Sequence, residues 1–278
     1  MPIRDILLQL NSYPERTPSW AIDGAVYLAE RLGAKLSAGL CQVQIPDVSN
    51  YLSQLLVRSK DVIAAENHKS ADNAVQLMLR FDEAVGPDRL GESIVVACPA
   101  LVTPWQLAAR ARLYDLAVVP VYGHPETRSI AEGLAFESGR PVLLLPPEGL
   151  AGHRLDNVVI GWDGSRAAAR ALAEALPICE LARSVTVVTV TGEKPLPETS
   201  PPSQVVRHLS RHGISAQAAC MRASGQDAGH ALRSYCKDNG ADLLVMGAYG
   251  HARAREFVLG GATRSILHEQ GLPVLMSH

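Results

Sequence analysis

The residues able to do chemistry concentrate near the end of the chain. Gly247, Ala248, Tyr249 and Gly250 form a GxxG motif, nine residues follow (251–259), and Gly260 with Gly261 then opens a helical pattern through Ala262 and Thr263. Glycines at 247 and 250 allow positive φ and close backbone approach, so successive N–H groups can converge as an anion nest. The pair at 260 and 261 adds the free N–H groups and positive dipole end of the following helix. Two donor sets aimed at one point suit a di- or triphosphate. His251, Arg253 and Arg255 lie within the nine-residue segment, and two readings stand for the arginines: contact with the ligand, or projection into solvent. Asp163, followed by Gly164 and Ser165, is placed to accept ribose hydroxyls or to help hold a divalent ion near phosphates. It can equally be a helix N-cap, because Asp, Gly and Ser in that order are ordinary strand-to-helix chemistry. A lone GxxG is weak, since any strand-to-helix turn can use glycine. The joint spacing is the stronger signal.

The elements that must position these residues follow from an internal repeat. The run 115–124 aligns without a gap with 242–251, and 4–12 aligns with 156–164. Each copy then continues through a helical stretch to a Pro-Val-Leu strand, at Pro141 and Pro273. The Pro- and Gly-containing stretch 146–153 reads as a linker, dividing the chain into domains at 1–147 and 154–278. Short apolar runs alternate with helical periods, which predicts parallel strands joined by crossover helices. The expected strands are 3–10, 34–42, 92–97, 115–120 and 141–145, then 156–162, 184–190, 214–220, 242–247 and 273–276. Ala21, Ala25, Leu28, Ala29 and Leu32 trace one apolar helix face; Ala168, Ala171, Leu172, Ala175 and Leu176 trace its counterpart. The fold class is therefore α/β, two tandem five-stranded doubly wound parallel-sheet domains. Ligands of such sheets bind beyond the carboxyl ends of the strands, where strand order reverses. Val190 and Met246, at the ends of two second-copy strands, complete the expected lining with Asp163, Gly164, Gly247, Gly250, His251, Arg253, Gly260, Gly261, Ala262 and Thr263.

These residues resemble the universal stress protein family, whose nucleotide-binding members carry GxxG, nine residues, then Gly followed by Ser or Thr. The run 160–165 resembles the family's first strand and its ligand-contacting Asp, while Gly247, Gly250 and Gly260 fall on the glycines of its phosphate loop. The resemblance covers nearly the whole chain. It implies a fold related to adenine nucleotide-binding domains, an internal pseudo-dimer of two such domains, and a stress-response role. The ligand it implies is ATP, ADP or AMP in the C-terminal domain, with or without Mg²⁺. Two departures qualify the carry-over. Gly261 stands where the hydroxyl residue belongs, with Thr263 as the nearby substitute. In the first copy Asn11 replaces the Asp, Pro120 replaces the first glycine, and the stretch from Asp115 to Pro141 is five residues shorter than that from Asp242 to Pro273. That copy is not expected to bind ATP in this way. Tyr122, Gly123 and His124 persist there, either as a retained pocket or as the mark of shared ancestry. The alternative function is a non-nucleotide interaction or sensor module, or a small-ligand or lipid carrier using the N-terminal domain.

Composition narrows the rest. A formal charge of −2 without a Lys/Arg run gives no electrostatic footprint for nucleic acid. No run approaches the ~20 apolar residues of a membrane helix, and the N-terminal apolar run is too short for a signal peptide, so a cytoplasmic location is expected. Partners are then an adenine nucleotide, another copy of the chain, or unidentified proteins, with no nucleic acid and no membrane. Cys41, Cys98, Cys179, Cys220 and Cys236 form no CxxC pair and read as free, buried thiols. His208 and His212 stand four apart on a probable helix but lack an evident third metal ligand. No GxSxG, paired metal carboxylates or GxxxxGK[ST] is present, so catalysis beyond slow ATP hydrolysis is not expected.

Overall fold

A computed structural model of the protein describes residues 2–46, 58–99, 104–147, 149–150, 154–192, 200–223, 225–248, 261–269 and 271–278. The first half runs β1 (Asp5–Asn11), α1 (Ser19–Leu32), β2 (Lys35–Gln44), α2 (Arg58–Val85), β3 (Leu90–Pro99), α3 (Pro104–Ala111), β4 (Leu116–Pro120), α4 (Pro125–Glu137) and β5 (Val142–Leu145). The second runs β6 (Asn157–Gly161), α5 (Arg166–Cys179), β7 (Ser184–Thr191), α6 (Pro202–Arg211), β8 (Ala216–Arg222), α7 (Ala228–Asp238), β9 (Leu243–Gly247), α8 (Gly261–His268) and β10 (Val274–Ser277).

The strands form one ten-stranded sheet in the order β3-β2-β1-β4-β5-β10-β9-β6-β7-β8. Each half has the same internal order, and within each half every pairing is parallel. The halves join through β5 and β10, which pair antiparallel, with Val142 opposite Met276, Leu143 opposite Leu275 and Leu144 opposite Val274. Alternation along these strands sends Leu143, Leu145 and Leu275 into one core layer, and Val142, Leu144, Val274 and Met276 into the other. Both layers contain residues of both halves, so the apolar interior is continuous across the seam.

The repeat is visible in its hydrogen bonds. Asp115 Oδ2 accepts from the backbone N–H groups of Arg4 and Asp5 at 2.8 and 3.1 Å. Asp242 Oδ2 accepts from those of Asp156 and Asn157, both at 3.0 Å. In each copy one carboxylate thus pins the start of the first strand to the start of the fourth. The alanine-rich faces of α1 and α5 are buried where the periodicity places them, with Leu32 and Leu176 at the margin. The linker also packs onto α1: Leu150 enters the core, and Gly149 lies so close that an added Cβ would sit 3.2 Å from the Trp20 carbonyl.

One expectation is overturned. Cys41 and Cys98 are joined as a disulfide between β2 and the edge strand β3, with their Cα atoms 6.0 Å apart. The pairing is long-range, between neighbouring strands 57 residues apart in sequence, so no local cysteine motif announces it. Cys179 and Cys236 are free and buried, and burial pushes both thiols up to about 12; Cys220 is exposed. Replacing Cys41 and Cys98 together by Ala is expected to lower the unfolding free energy by about 2–4 kcal/mol through the freed denatured chain. Urea denaturation checks this, and an unchanged midpoint would contradict it.

Candidate functional site

In the second half, strand order reverses between β6 and β9, and the crevice beyond their carboxyl ends is where a doubly wound sheet receives ligands. Trp162 N–H donates to the Val188 carbonyl at 2.8 Å, extending the β6 pairing one residue and leaving Asp163 exposed at the lip. Asp163 Oδ1 accepts from Ser165 N–H at 2.9 Å, and Gly164 takes φ +72° to close that turn. Ser165 is the N-cap of α5, its side chain accepting from Ala168 N–H at 3.1 Å. The N-cap reading of Asp163 is therefore corrected. The cap falls two residues later, and Asp163 spends one oxygen on the turn while the other has no partner among the described residues. Val190 is half-buried at the end of β7, and Met246 is buried in the core beneath the crevice.

Gly247 is required for a different reason from the one its motif suggests. The expected positive φ is absent there. A Cβ at 247 would instead lie 2.4 Å from Ala168 N and 2.6 Å from the Ala167 carbonyl carbon. The first turn of α5 rests directly on the end of β9, and only a residue without a side chain admits that approach. Ala248 continues the edge, donating to the Ser277 carbonyl at 2.7 Å and accepting from His278 Nδ1 at 3.2 Å. Gly250, His251, Arg253, Arg255 and Gly260 lie outside the described residues.

Across the gap, α8 begins at Gly261, which is exposed and again without positive φ. Among the described residues an added Cβ there would meet the Asp227 Cβ at an ordinary 3.6 Å, so these leave room for a serine Cβ. Ala262 backbone presses on Gly229, where a Cβ would come within 2.5 Å of the Ala262 carbonyl oxygen. Thr263, expected as the substitute hydroxyl, is only 2% exposed and faces the interior.

The sequence reading missed Asp227, whose signal was an Asp just before a helical stretch. It is the N-cap of α7, with Oδ1 accepting from the N–H groups of Gly229 and His230 at 2.8 and 3.1 Å, and Ser265 Oγ lies 2.6 Å away. Its Oδ2 meets His230 Nδ1 at 2.6 Å, and His230 Nε2 stands 3.3 Å from Glu269, which also pairs with Arg233. Burial opposes ionisation of Asp227, but hydrogen bonds from Ser265 and His230, with the latter's charge, hold its carboxyl below the ordinary value. Hydrogen bonds to Asp227 and Glu269 raise His230, while those from Arg233 and His230 lower Glu269. The negative charge beside the start of α8 is thereby already answered by partners within the protein.

The corresponding place in the first copy is filled by the chain itself. Seven residues (12–18) separate Asn11 from α1, whereas two (164–165) separate Asp163 from α5. The first copy is thus five residues longer between Asn11 and α1, and between β4 and α4 it has four residues (121–124) against thirteen (248–260) between β9 and α8. Asn11 N–H donates to Thr17 Oγ1 at 2.8 Å and Thr17 N–H to the Asn11 carbonyl at 2.9 Å. The Tyr122 hydroxyl lies 3.2 Å from Thr17 Oγ1 and 3.3 Å from the Glu15 carbonyl, and its ring packs edge-on against Trp20. Asn11 and Tyr122 are 6% and 9% exposed, so this crevice is occupied rather than open.

Comparison with known proteins agrees with the architecture. Residues 154–278 match the sequence model of the universal stress protein family. A universal stress protein of Synechocystis sp. is 25% identical over 169 residues, a match spanning 58% of this chain and 58% of that relative. Among solved structures, a universal stress protein from Archaeoglobus fulgidus superposes with a TM-score of 0.70 at 14% identity, covering 98% of this chain and 97% of that one. One described as a putative universal stress protein from Pseudomonas aeruginosa gives a TM-score of 0.54 at 16% identity, covering 99% and 93%. At these identities the structures establish the fold.

Two outcomes follow from this geometry. Gly247→Ala is expected to cost about 1–3 kcal/mol in urea denaturation without any ligand, because its methyl meets backbone atoms; a wild-type midpoint would contradict the close approach of α5. For His230, the folded state holds the proton more tightly than the unfolded chain. Its stabilisation is complete below the ordinary histidine range near pH 6.5 and is lost as pH rises through the raised folded value. Comparing denaturation midpoints of wild type and His230→Gln across this range, the difference should shrink as pH rises; a constant difference would rule the linkage out.

Proposed function

We propose that residues 154–278, which match the sequence model of the universal stress protein family, bind an adenine nucleotide, ATP, ADP or AMP, as part of a stress response. The observation that carries the reading is the meeting, at one reversal of strand order, of the Asp163 turn, the end of β7 and the end of β9, with the first turn of α5 seated on Gly247. Asp163 keeps a carboxylate oxygen for ribose hydroxyls, the half-buried Val190 offers apolar surface to a base, and the first N–H groups of α8 face the phosphates with the helix dipole behind them. This donor set fits a nucleotide. Gly250, Gly260, His251 and Arg253 belong to the same reading on sequence grounds, while Thr263 is too buried to serve it without moving. These residues bind and orient. None is assigned as a general base, so any hydrolysis of ATP is slow.

The first copy acts as the structural half. A carrier function for it has no open crevice at Asn11 and Tyr122. The reading as an interaction module rests on Gly261, which withholds a hydroxyl from the phosphates. Calorimetry on the full chain separates the two. ATP should bind, Asp163→Ala should weaken it roughly tenfold or more through loss of a charged hydrogen bond, and Gly261→Ser should tighten it by about two- to tenfold. Absence of heat at about 1 mM ATP would overturn the nucleotide reading in favour of the interaction module.

A further inference from the structure

Helix α4 belongs to the first copy, yet one of its faces reaches the second. Arg128, Glu132 and Phe136 are spaced four apart, which places them on a single stripe. Arg128 Nη1 lies 3.3 Å from His268 Nδ1, at the last residue of α8. Glu132, whose carboxyl is raised by burial, has His268 as the neighbouring charge that lowers it. The Phe136 ring meets the His278 ring edge to face, centroids 5.2 Å apart. His278 in turn holds the Ala248 carbonyl through Nδ1 at 3.2 Å. The stripe therefore contacts both described flanks of the glycine-rich segment: α8, which follows it, and, through His278, Ala248, which precedes it. The antiparallel pairing of β5 with β10 brings the half that carries α4 against the half that carries both flanks.

We propose that the α4 stripe of the first copy positions the phosphate-binding elements of the second, with Phe136 and Arg128 as positioning residues that act through His278 and His268. The proposal rests on the nucleotide reading for its effect on affinity, but not for its effect on the two flanks. A ligand-binding helix and strand end that are prealigned lose less conformational freedom on binding, so loosening them weakens affinity without touching the ligand. It also gives a physical reason for a copy with a filled crevice to remain attached to one without.

The test compares wild type, Phe136→Ala, Phe136→Tyr, Arg128→Ala and, as a control on the same helix, Ser129→Ala. Amide hydrogen exchange without added nucleotide should rise about tenfold at Ala248 in Phe136→Ala and at 265–268 in Arg128→Ala, with β1 and β6 unchanged. Phe136→Tyr, which keeps the ring, and Ser129→Ala should match wild type. Calorimetry with ATP should then show affinity reduced several-fold in the same two variants only. If wild type binds no ATP, the nucleotide reading fails while the exchange arm still decides the positioning. Unchanged exchange at 265–268 in Arg128→Ala or at Ala248 in Phe136→Ala overturns the proposal, as does a rise spread evenly over both halves in either variant.

Discussion

Three antiparallel residue pairs between β5 and β10 turn two parallel half-sheets into one sheet with a single apolar interior. A five-stranded open sheet on its own would end at β5 or β10 with a row of unpaired backbone groups and an uncovered strip of core. Joining the two edges removes both liabilities at once. It also fixes, through the alternation of Leu143 and Leu275 against Val142 and Val274, which face of each half looks into which core layer. The proximity of α4 to α8 and the relative position of the two strand-end crevices depend on this seam.

Given that frame, the two copies have spent the same topology differently. Each keeps the carboxylate that pins its first strand, Asp115 or Asp242, beside a backbone hydrogen bond between the same two strand starts. Beyond the carboxyl ends there is no such constraint. The first copy has a shorter connection after β4 and a longer one between β1 and α1, and the added segment folds onto Tyr122. The second kept a short turn at Asp163 and an exposed helix start at Gly261. The first copy pairs its groups at this place within itself, whereas Asp163 in the second stays exposed.

Much of this was legible in the sequence because its signals are periodic. The runs 185–190, broken only by Thr186 and Thr189, and 243–246 are dominated by Val, Leu and Met, as strands covered on both faces tend to be, and they lie within β7 and β9. The alanine faces of α1 and α5 were equally plain. What escaped depends on contacts distant in sequence. The Cys41–Cys98 bond requires knowing that β2 and β3 are neighbours in register. The glycine at 247 looked like a backbone-freedom residue because motifs do not show that α5 lies on top of it. Asp163 lost its cap role to Ser165 by two residues, within the usual uncertainty of helix ends. Thr263 stood close in sequence to the phosphate position, but helical rotation carried it inward.

The central claim is that one half receives a nucleotide while the other is closed by its own chain. It is tested most directly by backbone NMR shifts of the full protein titrated with ATP. The account predicts perturbations confined to residues around Asp163, Val190, Gly247 and Gly261, with those of Asn11, Thr17 and Tyr122 unmoved. Shifts centred on Asn11 and Tyr122, or none in either half at saturating ATP, would contradict it.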